Sequence, residues 1–353
     1  MHCCAFWTND GFFFFATSPF PGADMTSLLR RTIALLLGGV LLPGTAATDT
    51  HKAHITAQPT VIFGLITDLH HTNREDSPMR IYSRALAKLG VFVQTMDKEG
   101  AAFIVELGDF IDGVAPGKDP VVNLTEAETL FTTFNGPAYH VLGNHEFDDI
   151  PRKTFFNTIN NTRIPKGRTY YSWDEQGLHC IVLDADYTVQ KPHRPFEMNS
   201  SEAPFYTWKD AFLPPEQLAW LQDDLRKSQL PTVLFTHQPL DRADHQDHNI
   251  KNASLVRTLL EEDGQVIAVF SGHDHQGGYT NIKGIHYIVL SGNVGVSDQR
   301  SWAATSTTRG YDTAADNQFA LVTLYRTGRN TIQLVLTGYG RQPGYVLDCD
   351  LRP

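Results

Sequence analysis

The stretch FSGHDHQ, residues 270–276, sets two histidines around one aspartate directly after the apolar run 266–270. A run of that length and composition predicts a buried strand. Side chains just past the carboxyl end of such a strand line the ligand crevice of an open α/β sheet. His273 and His275 therefore stand where a polar ligand or a metal ion would be held.

The same arrangement recurs along the chain. The apolar run 61–67 ends at Asp68 and His70, and the run 101–107 ends at Asp109 and Asp112. Residues 138–142 lead to Asn144 and His145, and residues 232–236 lead to His237. Between the first two strands, Ser77-Pro78 reads as a helix start, and apolar residues at 81, 85, 89, 92 and 96 keep helical spacing up to Gly100. Further helices are expected at 125–134, 215–227 and 252–262. A hairpin is expected around Gln176-Gly177, with later strands at 285–290, 319–325 and 331–337. Strand–helix–strand alternation predicts parallel strands. The expected architecture is one α/β domain over 58–353, with two packed mixed β-sheets flanked by helices in αββα layers. Long loops at 184–211, 238–251 and 292–317 interrupt it, and loops of that length are usually functional or disordered.

Composition narrows the function. Of 353 residues, 41% are hydrophobic and 19% charged, the balance of an ordinary globular protein. A net charge of -10 disfavours nucleic acid as a partner. Residues 25–31 are a short basic start, 32–43 an uncharged apolar run and 44–47 small residues at cleavage spacing. Those three parts make 25–47 a secretory signal peptide, with translation starting at Met25 and residues 1–24 as a leader that fits no signal pattern. The expected location is periplasmic or extracellular, with no membrane span once the signal is removed. Export leaves Cys180 and Cys349 open either to a disulfide or to two buried thiols.

Singly, each polar residue after a strand is weak evidence. Together, two carboxylates, an amide and four imidazoles suit a pair of divalent transition metals. A carboxylate such as Asp109 can bridge them through its two oxygens. The ordered blocks D-L-H (68–70), G-D-F-I-D (108–112), G-N-H-E (143–146), T-H (236–237) and G-H-D-H (272–275) resemble those of the calcineurin-like metallophosphoesterase superfamily.

That resemblance implies a metallophosphoesterase β-sandwich and a secreted, dinuclear-metal-dependent phosphoester hydrolase. It implies Asp68, His70 and His275 as ligands of one metal, Asn144, His237 and His273 as ligands of the other, and Asp109 as the bridge. It implies Mn, Fe or Zn, as divalent or mixed-valence ions, and a metal-bridging hydroxide that attacks phosphorus. His145 matches the residue that assists the leaving group, and Asp112 the carboxylate that orients it. Asp112 stands where purple acid phosphatases have tyrosine, and Gly113 where phosphoprotein phosphatases have arginine. What remains resembles the exported phosphatase and nucleotide-diphosphatase branches, including those similar to manganese-dependent ADP-ribose/CDP-alcohol diphosphatases, and residues 338–343 point the same way. The substrate is a small phosphomonoester or a nucleotide diphosphate. A metal-binding protein without catalysis is the remote alternative, disfavoured by the presence of both His145 and Asp112. The oligomeric state is open. His71, His140, His179 and His286 fall outside the pattern and read as structural.

Overall fold

The structure is a computed structural model that describes residues 58–77, 80–197, 208–295 and 315–352. All of them belong to one compact unit, Ile55–Pro353. The leader and signal readings lie outside the described residues, as do the middle of the 184–211 loop and most of the 292–317 loop.

Three parallel strands begin the first sheet: β1 (Val61–Ile66), β2 (Phe103–Glu106) and β3 (Ala138–His140). Three antiparallel strands complete it beyond β1: β10 (Phe319–Arg326), β11 (Thr331–Tyr339) and β12 (Tyr345–Asp350). The second sheet runs in the order β4 (Tyr171–Glu175), β5 (Leu178–Val182), β6 (Thr232–Phe235), β7 (Val266–Ser271), β9 (Ile285–Val289) and β8 (Gly278–Ile282). Its four inner strands are parallel and its two edge strands antiparallel. β1, β2 and β5 to β7 are apolar almost throughout because parallel strands here are covered on both faces.

What covers them is visible in the core. One cluster fills the space between the sheets, where Phe63 and Phe103 of the first meet Phe235 and Phe270 of the second. The Phe63 ring stacks on Phe103 at 4.8 Å and meets the edges of Phe235 and Phe270 at 6.0 and 5.9 Å. Cys180 and Cys349 sit in this layer as free buried thiols, so the disulfide alternative is set aside. A second cluster joins the first sheet to α1 (Ala85–Glu99), α2 (Pro120–Phe131) and α3 (Arg152–Thr158). A third joins the second sheet to α4 (Pro215–Lys227) and α5 (Ala253–Asp263). The layers are therefore helix, sheet, sheet, helix. Among the described residues no helix is long and apolar enough to cross a membrane.

Three departures from the sequence reading have physical causes. α1 starts at Ala85, after a 3-10 turn at Tyr82–Arg84, rather than at Ser77. Ser77 instead pairs its backbone with Arg80, and the Ile81 N–H donates to Val294 O at 2.9 Å. That holds the segment off the helix and carries Arg80 to the site described below. α2 starts at Pro120 rather than 125, because the Asp119 side chain accepts from the Val121 N–H and proline fits the first turn. α3, β8 and β12 were not expected; α3 has only 7 residues, and β8 and β12 are edge strands of mixed polarity.

The four histidines outside the pattern have internal partners. His71 bonds Glu126, His140 lies between Glu106 and Glu128, and His286 bonds Tyr279 and the Asp348 carbonyl. His179 on β5 reaches Asp174 at 2.6 Å and Asp224 at 3.1 Å. Burial works to lower the His179 pKa, but the two carboxylates outweigh it and raise it. A raised folded value means stabilisation that is present in full below the ordinary value of about 6.5 and lost as pH rises through the folded one. The melting-temperature gap between the wild type and His179→Gln should therefore be widest near pH 6 and shrink by pH 9. Thermal melts at the two pH values check this, and an unchanged gap would refute it.

Candidate metal centre

The parallel strands deliver their following loops to one place. Asp68 and His70 come from β1, Asp109 and Asp112 from β2, Asn144 and His145 from β3, His237 from β6, and His273 and His275 from β7. The turns are tight. Asp68, His70, Asp109 and His273 all have positive φ, 53°, 50°, 56° and 66°. Non-glycine residues rarely adopt that conformation, and it concentrates at functional sites. Glycines at two positions let backbones approach: a Cβ on Gly143 would strike the backbone and carboxylate of Asp109, and one on Gly272 would strike Thr67 and Asp68. The buried Glu146 carboxylate ties the turns together. It accepts from the backbone N–H of Asp109, Phe110 and Gly143 at 3.1, 2.6 and 2.7 Å.

Among the described residues four groups have ligand atoms spaced as around a metal ion. Two of them include His145: His70, Asp109 and His145, and Asp112, His145 and Asp148. The other two, the donor clusters, consist of expected ligands alone: Asp68, His70 and His275, and Asp109, His237 and His273. In the first, His275 Nε2 lies 3.1 Å from Asp68 Oδ1 and 3.3 Å from His70 Nε2. In the second, His237 Nε2 lies 3.2 Å from Asp109 Oδ2. That same Oδ2 is 3.5 Å from His70 Nε2, so Asp109 touches both clusters. Asn144 lines the cleft beside them.

A cation pair fits this set. Asp68 Oδ1, Asn144 Oδ1, His237 Nε2 and His273 Nε2 are all buried and accept or donate no hydrogen bond. Buried polar atoms are otherwise nearly always paired. The opposite ring nitrogens are already committed. His237 Nδ1–H donates to Leu107 O at 2.9 Å, and His70 Nδ1–H donates to Asp112 Oδ2 at 3.1 Å. Each histidine is thereby fixed with its Nε2 lone pair facing inward, as a metal ligand requires. Burial would raise the Asp68 and Asp109 pKa values, but the neighbouring imidazoles hold both well below the usual carboxylate range. Burial and His237 push His273 well below the usual histidine value, which keeps it neutral.

His145 stands at the mouth of the site, its N–H donating to Asp109 Oδ1 at 2.8 Å. Asp112 does not orient it as expected. Asp112 Oδ1 lies 3.5 Å from His145 Nδ1 and accepts instead from the Gly113 N–H at 2.7 Å, while Oδ2 accepts from His70 and from Arg80 Nη1 at 3.1 and 2.6 Å. The partner of His145 is Asp148, at 2.6 Å from Nδ1. The spacing of three residues, one turn, is the signal that would have found it. Burial lowers the His145 pKa, yet Asp109, Asp148 and Asp112 outweigh burial and lift it to about 9. Asp274, between the two ligand-type histidines, turns aside to Arg242 at 2.5 Å. Arg74, Arg80, Trp208 and His248 line the same cleft, and sequence reading singled out none of the first three.

Residues 62–277, well over half of the chain, match the family model described as calcineurin-like phosphoesterase. The chain belongs to that family. This calcineurin-like phosphoesterase is a metal-dependent phosphoester hydrolase, and its paired donor clusters make the centre dinuclear. It is similar to the manganese-dependent ADP-ribose/CDP-alcohol diphosphatase of Homo sapiens, 25% identical over 340 residues that cover 81% of this chain and 92% of that protein. The protein of the same name from Arabidopsis thaliana is 23% identical over 267 residues, covering 65% and 85%. Among solved structures, a dimetal phosphatase from Danio rerio shares the fold, with a TM-score of 0.64 at 22% identity, covering 84% of this chain and 100% of that one.

Asp109→Asn should abolish turnover and leave the protein with fewer than two metal equivalents, because both clusters lose a shared negative charge. Metal analysis of the purified variant checks this. Two full equivalents at normal rates would show that Asp109 bridges nothing.

Proposed function

We propose that this phosphoesterase is a nucleotide diphosphatase of the ADP-ribose or CDP-alcohol type, with Asp68, His70 and His275 on one metal, Asn144, His237 and His273 on the other, and Asp109 between them. The observation that carries this reading is the cleft over the donor clusters. It measures about 770 Å³ and has arginines, Arg74 and Arg80, as well as an aromatic pair, Trp208 and His248. A phosphomonoester needs one phosphate grip. A diphosphate with a nucleoside arm needs a second cationic grip and a flat apolar surface, and this cleft has both. The named relatives act on substrates of that kind.

When bound, the two cations supply charge to the phosphoryl oxygens and acidify the attacking water. The chain's own part is positional. Asp109 carries the backbone of His145 on its Oδ1, so the imidazole is set by the same carboxylate that joins the two clusters. Asp148 fixes the His145 ring with Nδ1 toward itself, leaving Nε2 to face substrate. In that position His145 assists the departing oxygen. Manganese is the proposed ion, by likeness to the manganese-dependent relatives. The three-part pattern of segment 25–47 supports a periplasmic or extracellular location for the enzyme.

Two measurements test this. The metal-stripped enzyme, reloaded with Mn²⁺, should hydrolyse ADP-ribose and a CDP-alcohol with higher kcat/KM than p-nitrophenyl phosphate or a sugar phosphate. His145→Ala should keep both metals and lose rate by about 100- to 10,000-fold on substrates with a poor leaving group. Preference for the monoesters would overturn the diphosphatase reading in favour of a phosphomonoesterase. Separately, N-terminal sequencing of the exported protein should give a first residue within a few positions of Ala47, and an intact 1–47 segment would overturn the cleaved-signal reading in favour of an N-terminal anchor.

A further inference from the structure

The cleft is asymmetric about the donor clusters. At one end, Arg80 Nη1 lies 2.6 Å and Arg74 Nη1 3.6 Å from Asp112, and His145 Nδ1 lies 3.5 Å from the same carboxylate. The cationic residues and the leaving-group histidine thus surround one point. An arginine carries five N–H donors in a fork matched to phosphate, so Arg80 keeps donors beyond the one spent on Asp112. At the other end, His273 is followed outward by His248, ring centroids 4.9 Å apart, and then by Trp208, 4.6 Å from His248 and 6.0 Å from His273. Trp208 is 41% exposed, although tryptophan normally buries most of its large apolar surface. Lys209, held by Asp247 at 2.9 Å, lies over the indole at 4.9 Å and keeps it in place.

We infer that these two ends sort the arms of a nucleotide diphosphate: the base stacks on Trp208 and His248, the second phosphate lies against Arg74 and Arg80, and water is added to the phosphorus on the nucleoside side. The scale supports this order. With Trp208 only 6.0 Å from a residue of the second donor cluster, a base stacked there sits one ribose away from the clusters. The phosphate over the clusters is then the nucleoside's own. The other phosphate is directed to the end that holds His145, where a leaving group must depart. The step balances simply. The oxygen of water joins the nucleoside-side phosphorus, and the bond from that phosphorus to the bridging oxygen breaks. The bridging oxygen keeps the electron pair and leaves with the second phosphate, and the two protons of water end on the products or in solvent. Arg74 and Arg80 offset the charge that gathers on the leaving phosphate, a group that needs a proton less than an alkoxide does.

The inference rests on the diphosphatase reading, and one experiment separates the two. ADP-ribose is hydrolysed in H2¹⁸O by the Mn²⁺-loaded enzyme, and the products are weighed by mass spectrometry. The label should appear in AMP and be absent from ribose 5-phosphate. Label in ribose 5-phosphate would overturn the sorting of the arms while leaving the diphosphatase reading intact. No hydrolysis of any nucleotide diphosphate, with turnover of a nitrophenyl ester, would overturn both. Base stacking on an aromatic side chain is worth about 5- to 150-fold in affinity. Trp208→Ala should therefore lower the preference for ADP-ribose over a base-free dialkyl diphosphate by about fivefold or more, mainly through KM, and Trp208→Phe should restore most of it. An unchanged preference in Trp208→Ala would overturn the stacking role. Arg80→Lys keeps the charge but not the fork, and should slow ADP-ribose through kcat at unchanged metal content. Full activity of this variant would remove Arg80 from the leaving-phosphate end.

Discussion

The carboxylate of Asp109 is the constraint on which the rest of the site depends. Its Oδ2 faces His237 on one side and His70 on the other, and its Oδ1 holds the backbone of His145. One buried group thus joins both donor clusters and the backbone of His145. A buried ionised carboxylate is costly unless positive charge or donors surround it. Here the surrounding imidazoles and backbone amides keep it ionised. Glu146, two steps further in, fixes the turns that bring those groups together by accepting from three of their backbone amides. The positive φ values at Asp68, His70, Asp109 and His273 are the local cost of this convergence, and the two packed sheets bear it.

Around this hub the site has two different ends. Asp112 belongs to the arginine end: it serves His70 and Arg80 rather than His145. Asp148 takes over the orientation of His145 from within the same turn. The departure of α1 from its sequence-predicted start serves the same arrangement, because Ile81 is tied to the Val294 carbonyl and Arg80 pairs with Ser77, which delivers Arg80 to the cleft. The aromatic end has a separate origin. His248 comes from the long 238–251 loop and Trp208 from the segment before α4. A donor set of the family is thereby combined with a cleft lining built from loops, as expected where function is grafted on a shared fold.

Much of this was legible in the chain. Buried parallel strands read as continuous apolar runs, so β1, β2, β6 and β7 could be placed within a residue or two, and each ligand-type residue follows a parallel strand by two to four residues. Helix α4 was bounded without error, because proline opens it and its basic last turn closes it. Strands β8 and β12 were not legible, since edge strands that alternate in burial carry a weak signal. The short α3 was missed for lack of length.

The donor set can be read from the chain alone: which residue types follow which strands, and hence that two cations suit this site; the phosphoryl group comes from the resemblance of its ordered blocks to the family. Within each sheet parallel strands end at the same edge, β1 to β3 in the first and β6 and β7 in the second, and the packing of the two sheets brings those edges together. Which carboxylate serves which histidine, and which residues flank the donor clusters, depends on contacts between distant segments. His145 bonds Asp148 rather than Asp112, whose Oδ1 accepts from the Gly113 N–H and whose Oδ2 accepts from His70 and Arg80. Trp208, His248, Arg74 and Arg80 come from four separate positions in irregular chain, where no periodicity fixes direction. Their meeting over one cleft depends on packing between distant segments, and a linear pattern does not encode it.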